Sequence, residues 1–547
     1  MKKTMENLRL SGRATSPGLV IGKAFLYRDH SSVLSAPRSI SRHEVDEEVS
    51  HVERAVEAVR EDLQVSAQRI EAQTGPKLAA IFEAHEAMLG DPSLRDEIRD
   101  EIDRELTSAA HALARVFDRW QERFRQVPNE ELRERADDLL DLQGRLLREI
   151  AGVETTALEK MPQNRVLVAH RLLPSETVSL PHRAVAGIIL EFGGPGSHAA
   201  LLARALGIPT VAQIQRATKE IPDEEEVIVD GDVGEVILNP SAATRASYAE
   251  RIRGRRDKQF QVKLLSREPA RTRDGIEIAV LANIGSREDV VAAIDNGADG
   301  VGLYRIEQFY LSRKTPPSLQ DLLVELQEVF APIAGKPITV RLLDLGGDKP
   351  LQFLNFPVED DPFLGVRGVR LLLRYPDLLD TQFGALLEFS REYDVRILVP
   401  MVTLAQDMAE IRGRFWQLAD AAVIDHPPPL GAMIETPAAA LTIKDIMQHA
   451  DFASIGTNDL TQYTMAAGRE NPQVNNYFVE NHPAVLRLVR IVLEEVGQIP
   501  VSICGELATE LATLATLLKF GIRTLSVAPP LVPIVKEAIR QTSLQTT

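Results

Sequence analysis

Residues 453–459 have the sequence ASIGTND, in which a short apolar run ends in three polar residues before a helical pattern begins. Seven other segments of the C-terminal half are apolar runs of strand length followed by a helical pattern, and most of them end in a polar residue: residues 278–283, 300–305, 338–344, 397–401, 431–435, 501–506 and 525–528. Eight strand–helix repeats in about 275 residues predict a (β/α)8 barrel of the TIM type. In such barrels the active site lies at the carboxyl ends of the strands, so the polar residues that close these runs become candidate site residues.

The N-terminal half combines two other patterns. Apolar residues recur at helical spacing through residues 41–150, where Gly and Pro are scarce, which predicts a helical bundle. Strand-like runs stand on either side of this bundle, which indicates an α/β domain with the bundle inserted into it. We therefore expect a multidomain α/β protein with the following parts: an α/β domain at 1–40 and 151–240, a helical domain at 41–150, a linker helix at 241–268 and the barrel at 269–547.

Length and composition exclude several classes of protein. The 547 residues contain no apolar run near the ~20 residues of a membrane-spanning helix, and no secretory signal follows Met1. The single cysteine, Cys504, excludes an internal disulfide and a cysteine-based zinc cluster. We therefore expect a cytoplasmic protein without membrane insertion.

The negative charge is unevenly distributed. The whole chain carries a formal charge of −17, and residues 41–150 alone contribute about −11. This balance argues against nucleic acid as a partner and is compatible with a basic protein that docks on the helical domain. A solvated acidic surface without a partner is the alternative interpretation.

His198 follows a glycine-rich turn that begins at Gly193 and Gly194. Ser197 is a suitable N-cap for the apolar helix that follows, so His198 is expected in the first helical turn. The helix dipole and the free N–H groups of that turn favour an anion and a neutral imidazole, which suits a histidine that accepts a phosphoryl group. A capped or surface histidine with no function is the alternative.

Charged residues of both signs close the barrel strands. Arg305, Arg341 and Arg367 can bind phosphate and carboxylate oxygens, and Lys349 adds a further cation. Glu435 and Asp459 suit Mg²⁺, which takes one or two carboxylates together with substrate oxygens and water. Any one of these residues alone could be a surface ion pair, but their shared position at strand ends favours a site.

Cys504 ends the seventh predicted strand. Its position at the barrel mouth favours a role in proton transfer. The alternative is a small buried apolar residue, which is the commoner fate of a free cysteine.

Motifs distributed along nearly the whole chain are similar to those of the Enzyme I family of the bacterial phosphoenolpyruvate:sugar phosphotransferase system. They comprise 16–18 (SPG), 81–85 (IFEAH), the Gly-Gly-x-x-Ser-His of 193–198, 302–305 (GLYR), 345–349 (LGGDK), 362–367 (PFLGVR), 435–438 (ETPA), 456–463 (GTNDLTQY) and 504–506 (CGE). The resemblance implies that phosphoenolpyruvate and Mg²⁺ bind in the barrel and that His198, on a swivelling α/β domain, takes the phosphoryl group. The resemblance further implies that the phosphoryl group then passes from His198 to a histidine of the small carrier protein HPr.

The resemblance also implies a role for each site residue. Cys504 would protonate the enolate carbon to release pyruvate, and Glu435 and Asp459 would hold the metal. The substrate-binding residues would be Arg305, Arg341, Arg367, Asn458, Asp459 and Arg469. The HPr surface of the helical domain is expected to include His85, Met88 and Leu89. A homodimer that forms through the barrel is implied as well.

Some residues depart from the family pattern, among them Gly196, Ile306, Asp361 and Gly468. These departures leave room for a catalytically weak regulatory paralogue. A second alternative is a relative of phosphoenolpyruvate synthase or pyruvate-phosphate dikinase that lacks the ATP-binding domain, since the helical bundle has neither strands nor a phosphate loop.

Overall fold

The structure is a computed structural model of the 547-residue chain. It describes residues 6–27, 38–74, 76–125, 130–152, 158, 161–173, 176, 185–194, 197–311, 313–333, 335–346, 351, 353–354, 359–469, 471 and 474–545. The chain divides into two compact units, Met1–Arg256 and Asp257–Thr547. No helix in the described ranges combines the length and the apolar character needed to cross a membrane.

The first unit contains an eight-stranded sheet in the order β1-β8-β7-β3-β4-β5-β6-β2. Its strands are β1 (Leu8–Ser11), β2 (Arg13–Ser16), β3 (Leu19–Leu26), β4 (Arg165–Ala169), β5 (Gly187–Leu190), β6 (Thr210–Ala212), β7 (Glu226–Asp230) and β8 (Glu235–Leu238). The neighbours from β3 to β6 run parallel, whereas β7, β8, β1 and β2 pair antiparallel with their neighbours. The parallel strands β4 and β5 are apolar on both faces, which is typical of a sheet covered on both sides.

A bundle of helices interrupts this sheet between β3 and β4. Its helices are α1 (Val45–Thr74), α2 (Pro76–Gly90), α3 (Pro92–Glu105), α4 (Ala109–Arg125) and α5 (Glu130–Ile150). Helix α1 buries Val49, Val52, Val56 and Val59, which recur at intervals of three and four residues. Asp91 caps helix α3, because its side chain accepts a hydrogen bond from the backbone N–H of Ser93. The bundle and one face of the sheet share a single apolar core.

The prediction that His85 and Leu89 lie on the docking surface is wrong. Both side chains are 0 % exposed, and the His85 ring lies 3.1 Å from a carboxylate oxygen of Asp138 on α5. The sequence of α2 is apolar on most of its circumference, so spacing alone does not indicate which face points inward. Met88 is half-buried and stays a predicted member of that surface.

The second unit is a closed parallel barrel, which confirms the predicted fold class. Its strands are β10 (Glu277–Ile284), β11 (Val301–Arg305), β12 (Ile338–Arg341), β13 (Val395–Val399), β14 (Leu430–Ile434), β15 (Phe452–Gly456), β16 (Val501–Cys504) and β17 (Thr524–Val527). Each strand pairs with the next, and β17 returns to β10. A short strand, β9 (Ala270–Arg271), pairs antiparallel with β10 outside the ring.

Helices follow the strands of the barrel as the repeat predicts. The helices of the barrel are α9 (Arg287–Asp295), α10 (Glu307–Leu311), α11 (Leu319–Phe330), α12 (Val369–Arg374), α13 (Pro376–Phe389), α14 (Ala405–Ala421), α15 (Pro437–Leu441), α16 (Ile443–Ile446), α17 (Thr457–Met465), α18 (Pro483–Glu495), α19 (Leu511–Phe520) and α20 (Val532–Gln541).

Three further helices lie between the bundle and the barrel in the sequence. The first unit contains the short helices α6 (His198–Ala205) and α7 (Ala217–Glu220), and the long helix α8 (Ala242–Leu265) crosses the boundary between the units.

Lys536 ties the last helix of the barrel to its first segments. The side chain is 0 % exposed, and its ammonium group donates to the carbonyls of Ser266 and Gly297 at 3.0 and 2.8 Å. It also forms an ion pair of 2.6 Å with Asp299. Burial lowers the pKa of Lys536, while Asp299 opposes that change. Helix α20 thereby holds the chain segment that leads into β9 and the turn that precedes β11.

Candidate active site

The carboxyl ends of the barrel strands bring together most of the predicted site residues. Arg305 ends β11 and lies directly opposite Arg341, which ends β12. Glu435 follows β14, and Cys504 ends β16 opposite Gly456 at the end of β15. Asn458 and Asp459 lie in the first turn of α17, immediately after β15.

Two arginines are fixed by a chain of carboxylates. Arg341 forms ion pairs with Glu307 at 2.8 Å and with Asp344 at 3.0 Å. Arg367 pairs with the same Asp344 at 2.9 Å and with Asp459 at 3.1 Å. Because both guanidinium groups are held by more than one carboxylate, their orientation is set before any substrate arrives.

Opposite charges in this network reinforce one another. Burial would lower the pKa of Arg367, but the carboxylates of Asp344 and Asp459 raise it above its ordinary value. Burial would likewise raise the pKa of Asp344, yet Arg341 and Arg367 lower it. Both arginines therefore stay cationic, and the Nε atom of Arg341 is buried without a hydrogen bond to any described residue.

Glu435 is the carboxylate whose charge is least compensated. Its side chain is buried, and one oxygen accepts a hydrogen bond of 2.6 Å from the backbone N–H of Met401. Burial, together with the negative charges of Asp459 and Asp344, raises the pKa of Glu435 to about 8. Arg341 and Arg367 oppose this shift only in part, so a further cation beside Glu435 would favour its ionised form.

These residues fit a hard divalent cation. No three His, Cys, Asp or Glu side chains converge into a complete metal cage within the described part of the chain. Mg²⁺ does not require such a cage, because it takes one or two carboxylates and completes its shell with substrate oxygens and water. The uncompensated carboxyl of Glu435 beside Asp459 meets that requirement.

The remaining candidates line the open side of the mouth. Arg305 is exposed and has neither a hydrogen bond nor an ion pair with another described residue. The surrounding protein and the charge of Arg341 both lower the pKa of Arg305. Asn458 accepts a hydrogen bond of 2.9 Å from the backbone N–H of Glu506, and Arg469 is exposed. Lys349 and Gly196 lie outside the described residues.

Cys504 lies inside the barrel, 2 % exposed. Its sulfur accepts a hydrogen bond from Ser454 at 3.5 Å and donates to the carbonyl of Ile455 at 3.6 Å. Burial raises the pKa of the Cys504 thiol, and the negative charge of Glu435 adds to that effect. The group is thus kept as a thiol, which is the form a proton donor needs.

Three residues that the sequence did not single out belong to the site. Glu307 and Asp344 hold the arginines, and the hydroxyl of Tyr463 accepts from Arg367 at 3.3 Å while donating to the carbonyl of Phe363 at 2.6 Å. Asp344 closes a predicted strand run, so its position was a usable signal. Tyr463 closes the motif at 456–463, whereas Glu307 becomes visible only through its contacts with residues distant in sequence.

The predicted acceptor, His198, begins helix α6 of the first unit. Ser197 caps this helix by accepting from the backbone N–H of Ala200, and its hydroxyl donates to the carbonyl of Gly194 at 2.8 Å. Gly193 has a φ of +134°, a conformation that favours glycine. The His198 side chain lies outside what the structure describes.

Comparison with known proteins identifies the family. Three domain families match the chain: PEP-utilising enzyme, N-terminal, at residues 11–135; PEP-utilising enzyme, mobile domain, at 161–234; and PEP-utilising enzyme, PEP-binding domain, at 259–544. The phosphoenolpyruvate-protein phosphotransferase of Priestia megaterium is 34 % identical over 541 residues, covering 98 % of this chain and 94 % of the relative. The chain belongs to the phosphoenolpyruvate-protein phosphotransferase family.

Other members of the phosphoenolpyruvate-protein phosphotransferase family show the same extent of similarity. The protein of Geobacillus stearothermophilus is 35 % identical, with 96 % of this chain and 92 % of the relative covered. That of Haemophilus influenzae is 32 % identical, with 98 % and 94 % covered. An NMR solution structure of Enzyme I is 32 % identical over 45 % of this chain and 99 % of its own, with a TM-score of 0.39. Family membership makes this protein a transferase that uses phosphoenolpyruvate.

Proposed function

We propose that the protein transfers the phosphoryl group of phosphoenolpyruvate to His198 and from there to a histidine of the carrier HPr, releasing pyruvate as the first step of sugar phosphotransfer. The observation that carries this proposal is the barrel mouth, where Arg341 and Arg367 are held by Asp344 next to the buried carboxyl of Glu435. Phosphoenolpyruvate carries a phosphate and a carboxylate, which such cations bind.

In this mechanism the arginines bind the substrate. No described residue bonds to the guanidinium group of Arg305 or to the buried Nε–H of Arg341, so both can donate to substrate oxygens. Asn458, Asp459 and Arg469 are proposed to complete the binding site. Arg367, which Asp344 and Asp459 hold in place, is proposed to bind substrate oxygens as well.

Glu435 and Asp459 would hold Mg²⁺. The bound ion would neutralise charge on the phosphoryl oxygens and on the enolate oxygen of the leaving group. Removal of either carboxylate is therefore expected to abolish metal-dependent turnover.

Transfer leaves an enolate that must gain a proton at carbon. The ring nitrogen of His198 attacks phosphorus, a P–N bond forms, and the P–O bond to the enolate breaks. We assign the proton donor as Cys504, whose thiol stays protonated because burial raises its pKa. The resulting thiolate would then recover a proton from water.

Further parts of the proposal concern partners and location. The acidic helical domain is proposed to dock HPr, because a basic carrier would be attracted by its charge. A cytoplasmic homodimer that forms through the barrel completes the proposal.

Incubation of the protein with labelled phosphoenolpyruvate and Mg²⁺ tests the proposal. We expect about one acid-labile phosphate per chain, its loss in His198→Ala, and its transfer to added HPr. The exposed His43 provides a matched control, His43→Ala, which should be labelled like the wild type. Stoichiometric labelling of His198→Ala would contradict the assignment of the acceptor.

The metal assignment has its own variants. Glu435→Gln should lose Mg²⁺-dependent labelling, whereas Glu410→Gln, at an exposed position of α14, should keep it. Full labelling of the Glu435 variant at low Mg²⁺ would show that this carboxylate is not a metal ligand.

A further inference from the structure

His170 lies at the same edge of the sheet as the glycine-rich loop before His198. Strands β4 and β5 run parallel, with Ala169 opposite Leu190, so the residues that follow each strand emerge side by side. The backbone N–H of Phe192 donates to the carbonyl of His170 at 2.9 Å, which extends this pairing beyond the strands. Gly193 follows at once.

A buried carboxylate fixes the orientation of the His170 ring. Nδ1 lies 2.6 Å from one oxygen of Glu191, whose side chain is only 10 % exposed. The other oxygen of Glu191 accepts from the backbone N–H of Thr218 at 2.8 Å and from its hydroxyl. Burial alone would raise the pKa of Glu191, but the hydrogen bonds from Thr218 and His170 lower it overall. The carboxylate therefore stays ionised and keeps a proton on Nδ1, which leaves Nε2 as the outward nitrogen.

The contact with Glu191 leaves the His170 ring accessible, since the His170 side chain is 53 % exposed. Its ring lies 4.6 Å from that of Phe192, an aromatic residue that is itself 54 % exposed. The guanidinium of Arg171 lies 5.7 Å from the same Phe192 ring. The exposed ring of Phe192 thus lies close to both the imidazole of His170 and the guanidinium of Arg171.

We propose that His170 and Arg171 form a phosphoryl-binding pair, which binds the phosphoryl group while it is carried by His198. The inference rests on the proposed function, because it requires His198 to be the acceptor. A doubly charged phosphoryl group attracts polar and cationic side chains, and His170 presents Nε2 on the side of its ring away from Glu191. Arg171 supplies a cation on the same side.

The pair should shift the equilibrium of phosphorylation. A charge-assisted hydrogen bond at a half-exposed site changes an equilibrium constant by about tenfold. At a fixed ratio of phosphoenolpyruvate to pyruvate, His170→Gln should therefore lower the ratio of phosphorylated to free protein by about five- to tenfold. His170→Arg keeps a donor that can pair with Glu191 and should stay within about twofold of the wild type. His43→Ala, at an exposed position elsewhere in the unit, should show no change.

The measurement uses the full chain with Mg²⁺, labelled phosphoenolpyruvate and added pyruvate, and a thermal unfolding curve confirms that each variant is folded. A wild-type protein that is not labelled at His198 contradicts the proposed function. A wild type labelled at His198 with an unchanged equilibrium in His170→Gln overturns only the role of His170. A third outcome is label that persists in His198→Ala but disappears when His170→Gln is added to it. That result would identify His170 itself as a phosphoryl acceptor and would also overturn its proposed binding role. If His170→Gln fails to fold, Glu191→Gln replaces it, because an uncharged partner should lower the equilibrium in the same direction.

Discussion

At the scale of single residues, burial controls which groups at the barrel mouth carry charge. Glu435 and Cys504 are both buried, and both have raised pKa values, so each favours its neutral form without a cation nearby. For Glu435, a metal ion bound as proposed would favour the charged form. For Cys504, the neutral form preserves the proton that the proposed chemistry transfers.

Cys504→Ser tests the proton donor. Serine keeps the size of the side chain and the position next to Ser454, but its hydroxyl is far less acidic. We expect pyruvate release to slow by about tenfold or more, while labelling of His198 survives in part. Normal pyruvate release from a variant whose melting temperature falls would instead identify Cys504 as a packing residue.

Glu480 predicts a pH dependence of stability. It precedes α18 and has one carboxylate oxygen buried without a hydrogen bond to a described residue. Burial, and then the charges of Glu506 and Glu510, raise the pKa of Glu480 to about 7. Because this pKa is raised in the folded protein, the contribution of Glu480 to the free energy of unfolding is fully present at acid pH. It is lost as the pH rises from about 4.5 through 7.

Glu480→Gln should therefore stabilise the protein at pH 8 by about 1–2 kcal/mol and have little effect near pH 4.5. Thermal unfolding of the two proteins across this range provides the measurement. For the exposed control Glu410→Gln, the difference in stability from the wild type should not change with pH. A constant offset between wild type and Glu480→Gln at every pH would contradict the expected titration.

At the scale of secondary structure, the turn after β16 depends on a glycine. Gly505 has a φ of +110°, and a Cβ there would collide with the hydroxyl of Thr457 and lie 2.7 Å from the side-chain oxygen of Asn458. Gly505→Ala should therefore displace Asn458, whose oxygen accepts from Glu506, and reduce kcat/KM by at least about tenfold.

Gly521→Ala is the matched control. Gly521 ends α19 with a similar φ of +113°, but nothing lies within 4 Å of its would-be Cβ. That variant should lose only about 1 kcal/mol of stability from backbone strain and keep its activity. Equal activity in the two variants would show that the contact with Asn458 does not matter for turnover.

Sequence patterns predicted the strands of the barrel better than the surroundings of its charged residues. An apolar run that ends in polar residues is a local signal, so the pattern alone suffices to place Arg305, Glu435 and Asp459 at strand ends. The pairing of Arg367 with Asp459 joins residues 92 positions apart, and no local pattern encodes it. The surface placement of His85 and Leu89 rests on the family resemblance alone, and α2 offers no local signal against it, because apolar residues surround the helix.

At the scale of the whole molecule, the two compact units predict separable activities. A chain truncated after Arg256 retains the complete sheet, the helical bundle and His198. We expect it to fold, to bind HPr and to exchange phosphate with phospho-HPr, but not to use phosphoenolpyruvate, because the barrel is missing. NMR chemical-shift changes on titration with HPr provide the measurement.

Binding of HPr to this fragment should weaken as salt rises from low to physiological concentration, since surface charges are screened within about 10 Å at 0.1 M salt. A folded fragment with no shift changes at any salt concentration would contradict docking on the helical domain.

The contacts of Lys536 with residues near the start of the barrel affect the order in which the protein can fold as it leaves the ribosome. The sheet of the first unit is complete once β8 pairs with β1, that is, once residue 238 has been made. The barrel must wait far longer, because its ring closes only when β17 pairs with β10, and Lys536 reaches carbonyls as far as 270 residues earlier in the chain. During that interval β10 is an open strand edge in a nascent chain, which is where a chaperone would be needed and where aggregation would start.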